Sequence, residues 1–149
     1  MIILRDKLFG RENHAKLPEE KRFVADPELV RRFGECQIEI SAANKFGNDK
    51  NKLGPIDKAR VNQFKSEIKK GYIYEDGPTG GDTEYLDFPG ENSHLMSKKI
   101  NGSDRFNYRV YPPTIEEDEN GFPIYRQKIV LESCLGHGRN GARNYSTIN

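Results

Sequence analysis

Polar and apolar residues alternate through Gln37-Ile38-Glu39-Ile40-Ser41, the period-two pattern of a half-buried strand. Farther along, Val61, Phe64 and Ile68 recur at helical spacing. With Asp57 as a cap and Gly71 as a stop, they predict a helix over 57–70 whose apolar stripe packs on a sheet. Asp26-Pro27-Glu28, followed by Gly34, predicts a short helix near 27–33. Three strands are predicted near 95–101, 104–111 and 124–135. Asn101-Gly102 makes a tight turn between the first two, and a longer acidic connection, from Pro112-Pro113 to Asn120-Gly121, precedes the third. Phe106, Tyr108 and Val110 then fall on one face, expected to be core, while Arg105, Asn107, Arg109 and Tyr111 fall on the other, expected to meet solvent.

Two stretches resist assignment. Ala42 to Asp49 is rich in residues that favour turns over helix interiors. Between 71 and 93, Gly77-Pro78, Gly80-Gly81 and Pro89-Gly90 let no regular element run for long. The pattern predicts an α+β fold: a twisted antiparallel sheet of about four strands with helices packed on one face. Residues 1–35 read as an N-terminal extension expected to cover a sheet edge or the core, with contact to a partner as the other reading, 36–138 as the main domain, and 139–149 as a basic tail.

Composition narrows the class. With 149 residues, 34% hydrophobic and 32% charged, the chain supports one domain with a modest core under a heavily solvated surface. Met1-Ile2-Ile3-Leu4 is cut off by Arg5 and Asp6 before it could form a signal-peptide apolar region, and no run of eighteen apolar residues occurs. The expected location is the cytoplasm, without a membrane partner. Two cysteines, Cys36 and Cys134, do not make a secreted disulfide framework.

The net charge of +1 does not mark a dedicated nucleic-acid binder, but the charges are unevenly placed. Lys58, Arg60, Lys65, Lys69 and Lys70 share one predicted helix, and Lys98, Lys99, Arg105 and Arg109 lie on adjacent predicted strands. From Tyr74 to His94 there are six acids and no Lys or Arg. Each run could equally be a solvated face.

Three residues at the ends of different elements suggest chemistry: Glu84, Arg105 and His137. Cleaving RNA through the ribose 2′-hydroxyl requires a base for that proton, a cation to balance the five-coordinate phosphorus, and an acid for the departing 5′-oxygen. A carboxylate, a guanidinium and an imidazole fill those roles without a metal. The other candidate chemistry is weaker. Cys134 and His137 have a spacing compatible with two metal ligands, but a zinc centre needs four convergent ligands and there is no second close pair. Cys134 instead reads as a small buried strand residue. Gly136 to Gly141 is glycine-rich and basic, but no helix follows it to make a phosphate cradle. It reads as a tail that lets His137 and Arg139 approach RNA.

The order of these motifs resembles the YoeB/RelE family of toxins from bacterial toxin–antitoxin pairs. Glu84-Tyr85-Leu86 stands where the family has Glu-Pro-Leu, and Met96-Ser97-Lys98-Lys99-Ile100 is similar to its aromatic-Ser-basic-basic-Ile strand. Asp104 to Val110 is similar to its polar-Arg-Leu-Val-Tyr strand, and Ile129 to His137 resembles its closing strand. The resemblance covers roughly 36–138, although Gly138 follows His137 where the family has a final aromatic residue.

The resemblance implies a RelE-like fold with a first helix near 42–56. It also implies a ribosome-dependent mRNA endonuclease that needs no cofactor and is neutralised by an antitoxin protein. Glu84, Arg105 and His137 would be catalytic, and Lys98, Lys99, Arg109 and Arg139 would hold RNA. The alternative is a non-catalytic RNA- or protein-binding module on a toxin-like sheet. Neither reading fixes the oligomeric state.

Overall fold

A computed structural model describes residues 16–86 and 92–136. Three helices, α1 (Pro27–Phe33), α2 (Asn44–Asn51) and α3 (Pro55–Lys69), accompany six strands. The strands are β1 (Gln37–Ala42), β2 (Glu84–Leu86), β3 (His94–Lys99), β4 (Arg105–Val110), β5 (Thr114–Glu117) and β6 (Pro123–Ser133). They form one sheet in the order β1-β6-β4-β3-β2, with β5 also pairing β6. The class is α+β, as expected. The sheet is larger than four strands and is mixed, because β1 runs parallel to β6 while the other pairs are antiparallel.

The core lies between one sheet face and helices α2 and α3. Val61, Phe64 and Ile68 of α3 are fully buried, and Phe64 meets Phe106 edge-on at 5.5 Å. Phe46 of α2 meets the same ring at 5.6 Å. Tyr108 adds a polar anchor, its hydroxyl donating to Ile73 O at 2.6 Å. Leu17 and Phe23 pack against this cluster, and Gln127 Nε2 donates to Phe23 O at 3.0 Å. The described part of the expected extension, residues 16–35, is thus bound into the same core.

Local signals account for most boundaries. The Asp26 carboxylate accepts from Glu28 N–H at 2.9 Å, and Gly34, at φ 91°, ends α1. Helix α3 starts earlier than expected, with Gly54 as cap and Pro55 in the first turn. Asp57 does not cap it but accepts from Asn101 Nδ2 at 2.8 Å. Asn101 also orders the β3–β4 turn, its Oδ1 accepting from the N–H groups of Ser103 (2.7 Å) and Asp104 (2.8 Å).

Where residue type left the assignment open and the resemblance implied a first helix near 42–56, Asn44–Asn51 is helical. Tertiary contacts override weak propensity there. Phe46 enters the core, and the buried Asp49 carboxylate accepts from Cys134 N–H at 3.2 Å while pairing with Lys45 at 3.1 Å. Cys134 is buried, as expected.

Candidate functional site

Strand β3 lies between β2 and β4 and joins two of the three residues singled out for chemistry. Its Ser97 is opposite Glu84 on one side and opposite Asn107 on the other. Antiparallel partners share a face, so Glu84, Ser97 and Asn107 lie together on the face opposite the core. Arg105 and Arg109, two residues either side of Asn107, project the same way.

Glu84 and Arg105 meet there, Arg105 Nη2 standing 3.2 Å from Glu84 Oε2. Arg105 Nε donates to Ser97 Oγ at 2.6 Å, which holds the plane of the guanidinium. Nη2 is buried and out of line for a hydrogen bond, so its close approach to the carboxylate is an ion-pair contact.

Arg109 is held differently. Its Nη1 donates to Ser93 Oγ at 3.0 Å, and its Nε lies 3.3 Å from Glu132 Oε2. Glu132 lies on this face by alternation with Val130, which pairs Arg109, and a β-bulge then brings Ser133 to the same face: Asn107 pairs with Ser133 and Tyr108 with Leu131, leaving Glu132 as the extra residue. Asn107 Nδ2 donates to Ser133 Oγ at 2.9 Å, whereas Asn107 Oδ1 is buried and accepts no hydrogen bond.

Two expectations for this face need correction. It is not the solvent side of the sheet, since Arg105 is 5% and Arg109 4% exposed and Asn107 is fully buried. Both guanidiniums are anchored by neighbouring carboxylates and serines, so they do not form an open row of cations. Nor does Lys98 belong here. Consecutive strand residues point to opposite faces, and register pairs Lys98 with Phe106 on the core side but Lys99 with Arg105 on the polar side. Lys99 is exposed; Lys98 is 0% exposed and is spent on protein groups, so it is not available to hold RNA.

His137 and Arg139 lie outside the described residues. The last described residue, Gly136, donates its N–H to Asp104 Oδ1 at 3.1 Å, beside Arg105 in the chain. Among the described residues no cluster of three or more His, Cys, Asp or Glu is arranged to hold a metal. No described helix is long and apolar enough to cross a membrane.

Sequence reasoning overlooked Ser97, Asn107, Ser93 and Glu132. The first two carried a usable signal, since they alternate with Lys99 and with the two arginines along their strands. Glu132 carried the same signal, alternating with Lys128 and Val130, whereas Ser133 reaches the face only through the bulge and had none. A second cluster lies at the far end of β3. There the His94 ring stacks on Phe23 at 4.1 Å, and His94 Nδ1 is 3.0 Å from Tyr74 Oη, which also accepts from Phe23 N–H at 3.1 Å. Burial lowers the pKa of His94 and raises that of Tyr74 to about 12.

Comparison with known proteins gives little. No family model matches the chain, and no curated protein matches it. A solved structure of a YoeB/ParE toxin from Agrobacterium tumefaciens superposes with a TM-score of 0.48 and 16% identity, over 67% of this chain and 99% of that chain.

Proposed function

We propose that this chain is a metal-independent endoribonuclease of the YoeB/RelE kind, cutting mRNA on the ribosome and restrained by an antitoxin. The observation that carries the reading is the pair on β2 and β4, a carboxylate 3.2 Å from a guanidinium, the base and the cation that the chemistry needs held side by side on one face.

In this reading Glu84 takes the proton of the ribose 2′-hydroxyl, and the 2′-oxygen attacks the adjacent phosphorus. Arg105 balances charge on the non-bridging oxygens as the phosphorus becomes five-coordinate. The bond to the 5′-oxygen breaks, leaving a 2′,3′-cyclic phosphate, and His137 protonates the departing oxygen. Ser97 holds Arg105 in plane, exposed Lys99 contributes a phosphate contact, and Arg139 would add another from the tail. The order of motifs over 36–138 supports mRNA, ribosome and antitoxin as partners.

Single-turnover cleavage of ribosome-bound mRNA tests the proposal. Wild type should cut, and Arg105→Ala should cut on the order of 10²- to 10³-fold more slowly, by analogy with loss of one oxyanion donor. Intact mRNA with folded wild-type protein would refute it.

A second reading has its own support. The near-complete burial of Arg105 and Arg109, each against a carboxylate, also suits a structural polar layer in a binding module. Ribosome binding by wild type without cleavage would favour that module.

A further inference from the structure

Glu84 sits on a strand of three residues that, among the described strands, pairs with β3 alone, so its position depends on the loop that leads into it. That loop is fastened at three points. Glu67 Oε2 of α3 accepts from the Thr79 N–H at 2.9 Å and from its hydroxyl at 2.5 Å. Gly81 O accepts from Lys99 N–H at 2.6 Å. At the third point, Lys98 Nζ donates to Thr83 Oγ1 at 2.7 Å and to Glu75 O at 3.2 Å. The Thr83 hydroxyl in turn donates to Asp76 Oδ1 at 2.6 Å, which also accepts the Thr83 N–H at 2.8 Å.

Lys98 makes these bonds from inside the core. It is fully buried, with Nζ 5.9 Å from the ring centroids of both Phe64 and Tyr108. An ammonium in such a place is costly unless its donors are used, and a methionine would fill the space without that cost. What its donors grip are the two ends of one loop, Glu75 at the start and Thr83 at the end. Thr83 is joined directly to Glu84. On the other face of β3, the preceding residue Ser97 holds Arg105. Consecutive residues of one strand therefore secure both members of the Glu84–Arg105 pair.

We propose that Lys98 is a positioning residue: acting through Thr83 and Asp76, it fixes the 75–83 loop and so sets where the Glu84 carboxylate stands relative to Arg105. Its catalytic consequence rests on the function proposed above; the latch itself does not.

The test compares wild-type full chain with Lys98→Met, Thr83→Val and Thr83→Ser, by amide hydrogen exchange and by single-turnover cleavage. Met and Val remove the latch, and Ser keeps its hydroxyl. The Met and Val variants should exchange the Thr79, Gly80, Thr83 and Leu86 amides at least about tenfold faster, with β4 and β6 unchanged and Ser like wild type. If Lys98→Met does not fold, Thr83→Val carries the comparison, since it changes one hydroxyl only. Wild-type exchange in Thr83→Val overturns the latch. Loosening that stops short of Leu86 overturns the positioning role.

In the cleavage arm, Thr83→Val should lose on the order of 10²-fold in the saturating single-turnover rate with the half-saturating concentration within about twofold, as expected for a misplaced base, and Ser should restore it. An active wild type with an equally active Val variant overturns the positioning role. An inactive wild type whose Val variant loosens through Leu86 refutes the nuclease and upholds the latch.

Discussion

Replacing Lys98 by Met should change how stability depends on pH. Burial depresses the Lys98 pKa from 10.5 to about 8, against the opposing pull of Asp76 and Glu67; Lys16 also lowers it and Glu75 raises it. A base with a depressed folded pKa is destabilising while charged, and the penalty is complete below the folded value and relieved as pH rises toward the unfolded value. A gap of roughly 2.5 units corresponds to about 3 kcal/mol at pH 7. Integrated from pH 7 to pH 9, wild type should gain about 1 kcal/mol relative to Lys98→Met, because the unfolded chain binds more protons across that window. The absolute difference at pH 7 also contains the lost hydrogen bonds to Thr83 and Glu75, so the slope is the diagnostic quantity. Burial raises the pKa of Tyr74, Tyr108 and Cys134, but these groups are common to both proteins and cancel in the difference. Urea unfolding of both at half-unit pH steps measures it. A flat difference, or one that favours the variant as pH rises, would refute the buried-ammonium argument.

Other perturbations have equally definite outcomes. Phe64→Ala removes a fully buried ring that contacts Phe106 and should cost about 3–5 kcal/mol in denaturant unfolding; a loss under about 1 kcal/mol would mean this face is not the core. Gly81→Ala places a methyl 2.8 Å from Phe64 Cε1 at a backbone φ of 108°. It should lower stability by about 1–3 kcal/mol, and an unchanged midpoint would contradict the close approach. His94 has a lowered pKa from burial, so neutral His94 should lend stability above its unfolded value near 6.5 and lose it as pH falls through the folded value. Acid should therefore loosen Phe23, read as faster exchange of its amide, and an NMR titration of His94 at or above the free value would contradict this. His137→Ala should slow cleavage roughly 10²- to 10⁴-fold while ribosome binding persists, and cleavage at the wild-type rate would remove His137 as the acid.

Elements with strong local signals were legible. The helix marked by Asp26, Pro27 and Gly34 has the expected bounds of 27–33, and Val61, Phe64 and Ile68 face the core as their spacing demands. Elements that depend on partners far away in sequence were not. Asn44–Asn51 is helical because Phe46 and Asp49 engage Phe106 and Cys134, distances in sequence that propensity cannot see. Glu84–Leu86 is a strand because Ser97, Met96 and Leu95 supply its register. The parallel placement of β1 beside β6 likewise leaves no trace in the alternation of either strand.

At the candidate site, the residues on β4 could be read because alternation alone puts Arg105, Asn107 and Arg109 on one face. What alternation could not say is that this face would be buried, with each arginine matched by a carboxylate from another strand. The same rule, applied to β3, separates Lys98 from Lys99, and grouping them as two cations ignored it. That separation changes the chemistry expected of the strand. Lys99 stays with the polar face as an exposed cation, whereas Lys98 becomes the buried donor that ties Glu75 to Thr83. A basic pair that looked like two phosphate contacts is therefore one contact and one structural latch, and losing the second should alter the geometry around Glu84 without removing a surface charge.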